Sequence, residues 1–138
     1  MADTVRMLMT QDPHTVSTGD MVMEAAKLMR DEDAGVVPIT DGDRLVGVVT
    51  DRDIAIRIVA EGKDPKATTV DQIASQNLVT IDPQQNLDEA LRLMAKHQVR
   101  RLPVVEEDGK LVGILAQADV ARHADPSSTG EVVGRISK

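Results

Sequence analysis

Two pairs of polar residues in this sequence have side chains that could bind a small ligand. Arg100 and Arg101 stand side by side, and a guanidinium group offers a planar fork of donors that matches phosphate oxygens. Side chains alternate in direction along a strand, so only one arginine would face a given phosphate. Thr50 and Asp53 form a Thr-x-x-Asp motif, which can close a capping box at a helix start. The alternatives are a solvated charge pair and a purely structural cap.

Little else in the sequence points to catalysis or metal binding. It has no Cys, no Gly-rich phosphate loop and no Gly-x-Ser-x-Gly motif, so we expect that the protein is not an enzyme. The histidines at positions 14, 97 and 123 lack the spacing of metal ligands, and we expect surface or capping roles for them. Asp51 and Asp53 could hold a cation, but a helix start is the simpler interpretation, and no metal site is predicted.

The composition further narrows the possible partners. The 138 residues carry a net charge of −7 and include no Phe, Tyr or Trp. We therefore do not expect a nucleic-acid partner, because proteins bind nucleic acid through basic surfaces and often through aromatic stacking. No segment has the length and apolar character of a signal peptide or a membrane span, so we expect a cytoplasmic protein with no membrane partner.

The chain repeats itself. A block of about fifty residues starts at Val5 and again at Val70, 65 positions later, and one extra residue, Gly109, then raises the offset to 66. Identical aligned residues include Glu24/Glu89, Pro38/Pro103, Gly47/Gly113 and Asp53/Asp119. Two copies are too few for a solenoid, so we expect two half-domains related by a pseudo-twofold axis, with any ligand in the cleft between them.

Both copies show the same order of elements: a short strand, a helix, a hairpin and a second helix. This pattern predicts an α/β (α+β) fold with one β-α-β-β-α unit per copy. We assign residues 1–60 to the first repeat, 61–69 to a linker, 70–124 to the second repeat and 125–138 to a C-terminal tail.

Particular residues mark the ends of these elements. In the first repeat, Ser17 or Thr18 is expected to cap the first helix and Gly35 to end it. The second helix should begin near Asp51 and turn three apolar residues inward, namely Ile54, Ile58 and Val59.

In the second repeat, Asn86 is expected to cap the first helix, and the last helix should run from about Gln117 to His123. For the tail we expect a loose turn over 125–130 and one or two helical turns over 131–137.

The segments VVPITDGDRLVGVVTDRDI and HQVRRLPVVEEDGKLVGILAQADVARH resemble the CBS domain, named after cystathionine β-synthase. Two such domains in tandem resemble a Bateman module. The resemblance spans about residues 3–123, and the pattern looks like that of stand-alone two-CBS proteins of the actinobacterial hypoxic-response type. It implies a sensor that binds an adenine nucleotide or another adenosyl ligand between the repeats.

The resemblance also implies composite sites, to which both repeats contribute. In the first site, Thr50 and Asp53 would come from repeat one, with the carboxylate on the ribose hydroxyls. Repeat two would contribute Leu78, Val79 and Thr80 near the base, Arg100 and Arg101 near the phosphates, and Pro103.

The second site departs from this pattern. It would combine Asp119 with His14, Thr15, Val16, Gly35, Val36 and Val37. Ala116 stands where Thr50 stands in repeat one, and Gly35-Val36 stands where the two arginines stand in repeat two. We therefore predict one competent nucleotide site and one weak or empty site.

The resemblance further implies a homodimer, because similar modules bury the second-helix faces that carry Ile54, Ile58 and Val59, with their equivalents in repeat two, against another chain. The leading functional prediction is a non-enzymatic sensor of AMP, ADP or ATP, without a resident cofactor. The alternative is a structural dimerisation module with no physiological small ligand.

Overall fold

A computed structural model describes residues 3–75 and 78–123 of the chain. In chain order, the elements are helix α1 (Val5–Leu8), strands β1 (Thr10–Gln11) and β2 (Val16–Ser17), helix α2 (Val22–Glu32), strands β3 (Val36–Asp41) and β4 (Arg44–Thr50), helix α3 (Asp51–Ile54), a π-helical turn (Ala55–Val59), a 3-10 turn (Val70–Gln72), helix α4 (Leu87–His97), strands β5 (Arg101–Val105) and β6 (Leu111–Ala116), and helix α5 (Gln117–His123). No helix among the described residues is long and apolar enough to cross a membrane.

The chain divides into two compact units. The continuous unit is His14–Leu78, and the discontinuous unit joins the N-terminal segment that ends at Pro13 to the chain from Val79 onward. Residues 3–13, at the start of repeat one, therefore pack with the body of repeat two. The predicted turn and helix at 125–137 lie outside the described residues.

The continuous unit contains a three-stranded sheet in the order β2-β3-β4. Strands β3 and β4 form the predicted antiparallel hairpin, and its turn requires Gly42, whose φ is +66°. Strand β2 runs parallel to β3, with Val16 opposite Ile39. The core of this unit is aliphatic and consists of Val16, Val22, Ala25, Val37, Ile39, Val49, Ile58, Val70 and Ile73.

The discontinuous unit contains the equivalent sheet in the order β1-β6-β5. Strand β1, from the start of the chain, pairs antiparallel with β6, with Thr10 opposite Ile114. The predicted opening strand of repeat two is reduced to one parallel bridge between Ile81 and Val104. The core consists of Val5, Met9, Ile81, Ala90, Met94, Leu102, Val104, Leu115 and Val120.

The two units are completed in the same way. Val5 at the start of repeat one and Val70 at the start of repeat two are both fully buried, each in the core of the unit that holds the other repeat's body. Likewise, β1 pairs with β6 of repeat two, and Ser75 pairs with Val48 of repeat one. The first segment of each repeat therefore packs in the unit that contains the rest of the other repeat.

Two helix-end predictions for repeat one were wrong. Helix α2 begins after Met21, which provides no side-chain cap, so Ser17 and Thr18 lie too far before the helix to cap it, and the Ser17 amide donates to the Asp20 carboxylate at 2.8 Å. The helix ends at Asp33, which adopts the left-handed conformation with φ of +51°, two residues before Gly35. By contrast, the Asn86 cap is confirmed, since its Oδ1 accepts a bond of 2.8 Å from the Glu89 amide.

The second helix of repeat one also differs from prediction. Only Ile58 is fully inside, at 2% exposure, while Ile54 packs against the core from its edge. Val59 was predicted inward but is 73% exposed, and Ile56 is 48% exposed. The difference comes from the π-helical turn, in which the Ala60 amide donates to the Ala55 carbonyl at 2.9 Å. This wider turn rotates the side chains that follow relative to their directions in an α-helix.

The docking of the N-terminal segment depends on Gly113. A Cβ atom there would lie 2.6 Å from Met9 Sδ and 2.8 Å from the Thr10 carbonyl oxygen. Gly113→Ala is therefore expected to lower the free energy of unfolding by about 1–3 kcal/mol, the usual cost of overpacking. The matched control is Gly47→Ala, whose Cβ would meet Ala74 Cβ and the Ser75 oxygen at 3.3 Å. Urea unfolding should show the smaller loss for Gly47→Ala, and equal losses would contradict this account.

Candidate functional site

Thr50 and Asp53 lie where β4 ends and α3 begins, and they form a complete capping box. The Asp53 amide donates to Thr50 Oγ1 at 3.0 Å, and the Thr50 amide donates to Asp53 Oδ2 at 2.9 Å. The capping role expected from the sequence is confirmed. The second carboxylate oxygen, Oδ1, lies 4.0 Å from Arg57 Nε in a weak ion pair, so the capping box is the main contact that fixes this side chain.

The equivalent motif in repeat two has lost this arrangement. Ala116 has no hydroxyl to accept a bond from the Asp119 amide, and the Asp119 carboxylate forms an ion pair with Arg122 on the next turn of α5. Asp53 and Asp119 therefore occupy equivalent sequence positions but differ in what holds their side chains.

Arg100 and Arg101 lie next to this motif, at the start of strand β5, which pairs with β6. Arg101 is the first residue of β5 and pairs with Ala116, while the Arg100 carbonyl accepts a bond of 2.8 Å from the Gln117 amide. Arg100 is exposed and Arg101 is half-buried. Both arginines thus stand beside the Ala116-to-Asp119 motif at one end of the sheet in the discontinuous unit.

The continuous unit repeats this geometry without the basic residues. Val36 pairs with Thr50, and the Gly35 carbonyl accepts a bond of 2.9 Å from the Asp51 amide. The sheet of the discontinuous unit thus carries two guanidinium groups at this end, whereas the sheet of the continuous unit carries none at the equivalent positions.

The remaining predicted site residues divide between core and surface. Val16 and Val37 are buried in the core of the continuous unit, so their side chains are already occupied by packing. Their half-buried neighbours are Thr15 and Val36, and His14 is exposed.

In the discontinuous unit, the segment around Thr80 lies beside Pro103, because the Ile81 amide donates to the Pro103 carbonyl at 3.1 Å. Val79 packs against the core of this unit, and Leu78, Thr80 and Pro103 are half-buried. The structure brings Thr80, Pro103 and the two arginines onto one unit, whereas Thr50, Asp53 and Leu78 belong to the other.

A pocket of about 640 Å³ lies at the hairpin end of the discontinuous unit. Its lining is mostly acidic and includes Asp82, Glu106, Glu107 and Asp108, together with Arg6. Arg6 is paired with Glu106 at 3.8 Å. Four carboxylates facing one cavity disfavour a phosphate, so this pocket does not suit a nucleotide.

Two of the histidines pair with carboxylates. His14 contacts Glu32, and His123 contacts Asp3, which ties α5 to the N-terminal segment. His97 lies in the last turn of α4 and is exposed. Within residues 3–75 and 78–123, no group of three or more His, Cys, Asp or Glu side chains could hold a metal ion.

Gln117 was not predicted to be a site residue, and its side chain is buried, at 8% exposure. Its Nε2 has no hydrogen-bond partner in the described structure. The only signal in the sequence was its alignment with Asp51, which puts an amide where repeat one has an acid.

The model of the CBS domain family matches residues 5–60 and 70–125 of the chain. The protein therefore belongs to the CBS domain family, with two CBS domains in tandem and the mixed α and β architecture predicted from the sequence.

Relatives match the protein over most of its length. Hypoxic response protein 1 of Mycobacterium tuberculosis is 41% identical over 121 residues, which cover 87% of this chain and 84% of that protein. The crystal structure of Hypoxic Response Protein I with two coordinated zinc ions matches with a TM-score of 0.80 at 40% identity, over 89% of this chain and all of that one. The crystal structure of CBSX2 in complex with AMP matches with a TM-score of 0.73 at 31% identity, over 87% of this chain and 94% of that one.

Proposed function

We propose that this protein is a non-catalytic sensor that binds an adenine nucleotide of the AMP, ADP or ATP type through its two CBS domains. Family membership and the AMP complex of the related CBSX2 support the proposal. The observation that carries it is the asymmetry of the two sheet ends, one of which presents Arg100 and Arg101. We also propose a cytoplasmic location, as expected for a sensor of adenine nucleotides.

Each residue of the proposed site has a distinct role. Asp53, held by the Thr50 capping box, accepts hydrogen bonds from the ribose hydroxyls through Oδ1. Leu78, Val79, Thr80 and Pro103 surround the base with aliphatic groups and backbone, which replaces the aromatic stacking that this chain lacks. The arginines hold the phosphates.

The weak second site consists of Asp119, Thr15, Val16, Val36 and Val37. Its ribose-binding carboxylate is paired with Arg122, and it has no arginine at the phosphate positions. We propose that this site stays empty when the first is filled, so that one chain binds one nucleotide.

A structural dimerisation module without a small ligand is the competing function. The exposed Ile56 and Val59 favour it, since they form an apolar patch on the π-helical turn. The two functions are compatible in one protein, and nucleotide titration separates them.

Isothermal titration with AMP, ADP, ATP, NAD and S-adenosylmethionine tests the proposal. At least one phosphorylated adenine nucleotide should bind with a stoichiometry of one per chain. Because the chain has no Phe, Tyr or Trp, any nucleotide retained through purification should dominate its absorbance near 260 nm. The absence of binding heat for all five compounds, from protein free of absorbance at 260 nm, would contradict the sensor function.

We further propose a homodimer that buries Ile56 and Val59, in place of the Ile54, Ile58 and Val59 face expected from the sequence. Multi-angle light scattering should give twice the chain mass of 14.9 kDa at micromolar concentration. Val59→Asp places a charge in the patch and should yield monomers, whereas Val46→Asp, at an exposed valine of β4, should not. A monomeric wild-type protein, or a Val59→Asp variant that stays dimeric, would contradict this interface.

A further inference from the structure

Gln117 is a buried amide that lacks a hydrogen-bond partner. It is the first residue of α5, is 8% exposed, and its Nε2 is completely enclosed without an acceptor among the described residues. Almost all buried donors in folded proteins are paired, because an unpaired one forfeits its bonds to water. A donor of this kind is explained if a bound molecule supplies its acceptor, and since Nε2 is enclosed in the ligand-free structure, the Gln117 side chain must change its rotamer when that molecule binds.

The surroundings of Gln117 indicate what that acceptor is. The Gln117 amide donates to the Arg100 carbonyl at 2.8 Å, and the preceding Ala116 pairs with Arg101. The Gln117 backbone is thus hydrogen-bonded to Arg100 and follows the residue that pairs with Arg101. These are the two arginines that we propose to bind the phosphates. A group with many acceptor oxygens and a negative charge would satisfy the arginines and the amide together.

The equivalent residue of repeat one, Asp51, makes the same backbone contact, although its side chain is exposed and that of Gln117 is buried. Asp51 donates its amide to the Gly35 carbonyl in the same way, at 2.9 Å. Its carboxylate covers Gly35, with Oδ2 3.2 Å from the place where a Cβ of residue 35 would be. The first residue of the helix therefore leans over the residue that aligns with Arg100. Repeat one has an acid at this point, which would repel a phosphate.

We propose that the Gln117 side-chain amide is a third phosphate donor, beside Arg100 and Arg101, in the nucleotide site. The ligand class is a nucleoside 5′-phosphate whose phosphate accepts from Nε2. This inference rests on the proposed nucleotide binding and adds a residue that selects phosphorylated ligands over unphosphorylated ones. Asp51 at the equivalent point disfavours phosphate in the weak second site.

The test compares AMP and adenosine binding in Gln117→Met, which removes the donor while keeping the side-chain volume. We expect AMP affinity to fall about tenfold, as for the loss of one hydrogen bond to a charged group, and adenosine affinity to stay within about twofold. The melting temperature should not fall, since an unpaired buried donor is replaced by an apolar group. A second variant, Gln117→Glu, presents a carboxylate like Asp51 and should weaken AMP still more.

Gln84→Met is the matched control, because it removes an exposed glutamine near the opposite end of the same unit. It should leave both affinities unchanged. If wild-type protein prefers AMP and both Gln117 variants keep that preference, or lose AMP and adenosine equally, Gln117 does not bind phosphate and only this inference is overturned. If wild-type protein binds neither compound, the proposed function fails and this inference fails with it.

Discussion

Asp53→Ala is expected to abolish nucleotide binding, whereas Asp119→Ala should leave it nearly intact. Asp53 is held in place by the Thr50 capping box, while Asp119 has lost that box and pairs with Arg122. Removal of a carboxylate that accepts two ribose hydroxyls should weaken AMP by about a hundredfold or more. Isothermal titration of both variants with AMP measures the difference.

Loss of a helix cap needs its own control, since Asp53→Ala also opens the capping box and should cost about 1 kcal/mol of stability. Asn86→Ala removes the cap of α4, where Asn86 Oδ1 accepts from Glu89, at a residue outside the proposed site. This variant should lose comparable stability and keep wild-type affinity. Equal losses of affinity from Asp53→Ala and Asp119→Ala would show that the two motifs are functionally alike.

The double variant Arg100→Ala/Arg101→Ala should erase the preference for AMP over adenosine. Each charge-assisted contact contributes roughly 1.5–3 kcal/mol, so losing one weakens AMP by about tenfold to a hundredfold. Neither arginine side chain belongs to a hydrophobic core of the described structure, so the fold should persist. Titration of AMP and adenosine against wild-type and variant protein, with circular dichroism for the fold, gives the result.

Arg92→Ala is a control for the loss of a positive charge elsewhere in the same unit. Arg92 lies on the exposed face of α4 in the same unit, and its hydrogen bonds hold the pKa of Glu89 below the ordinary value. This variant removes a positive charge from a place already paired, so the AMP preference should remain. A double variant that still prefers AMP by the wild-type ratio would identify Arg100 and Arg101 as a solvated pair.

Local patterns predicted the local structure well. The hairpin around Gly42, the Asn86 cap, the Thr50 capping box and the last helix from Gln117 to His123 all follow from short-range spacing. The duplication predicted two similar half-domains, and the resemblance of each copy to the CBS domain predicted two CBS domains, which the family match confirms.

Features that depend on distant parts of the chain were not predicted. Val59 is exposed because a π-helical turn changes which face is inward, and apolar periodicity assumes an α-helix. The packing of Val5 with repeat two was not predicted, because an apolar residue in a sequence does not specify its packing partner. Gln117 was missed for a similar reason, since burial of a polar side chain is set by tertiary packing. The assignment of ligand-binding roles remains a prediction.

The discontinuous unit has a consequence for synthesis on the ribosome. Residues 14–78 form one continuous stretch, so this unit can fold as soon as Leu78 has left the exit tunnel. The segment with Val5 and Met9 emerges earlier, yet its partner strand β6 does not exist until Leu111–Ala116 has been made. The nascent chain therefore carries an unpaired apolar N-terminus beside a folded unit while the residues between Leu78 and Ala116 emerge, which is about a quarter of the chain, and chaperones or a neighbouring chain have access to it during that time.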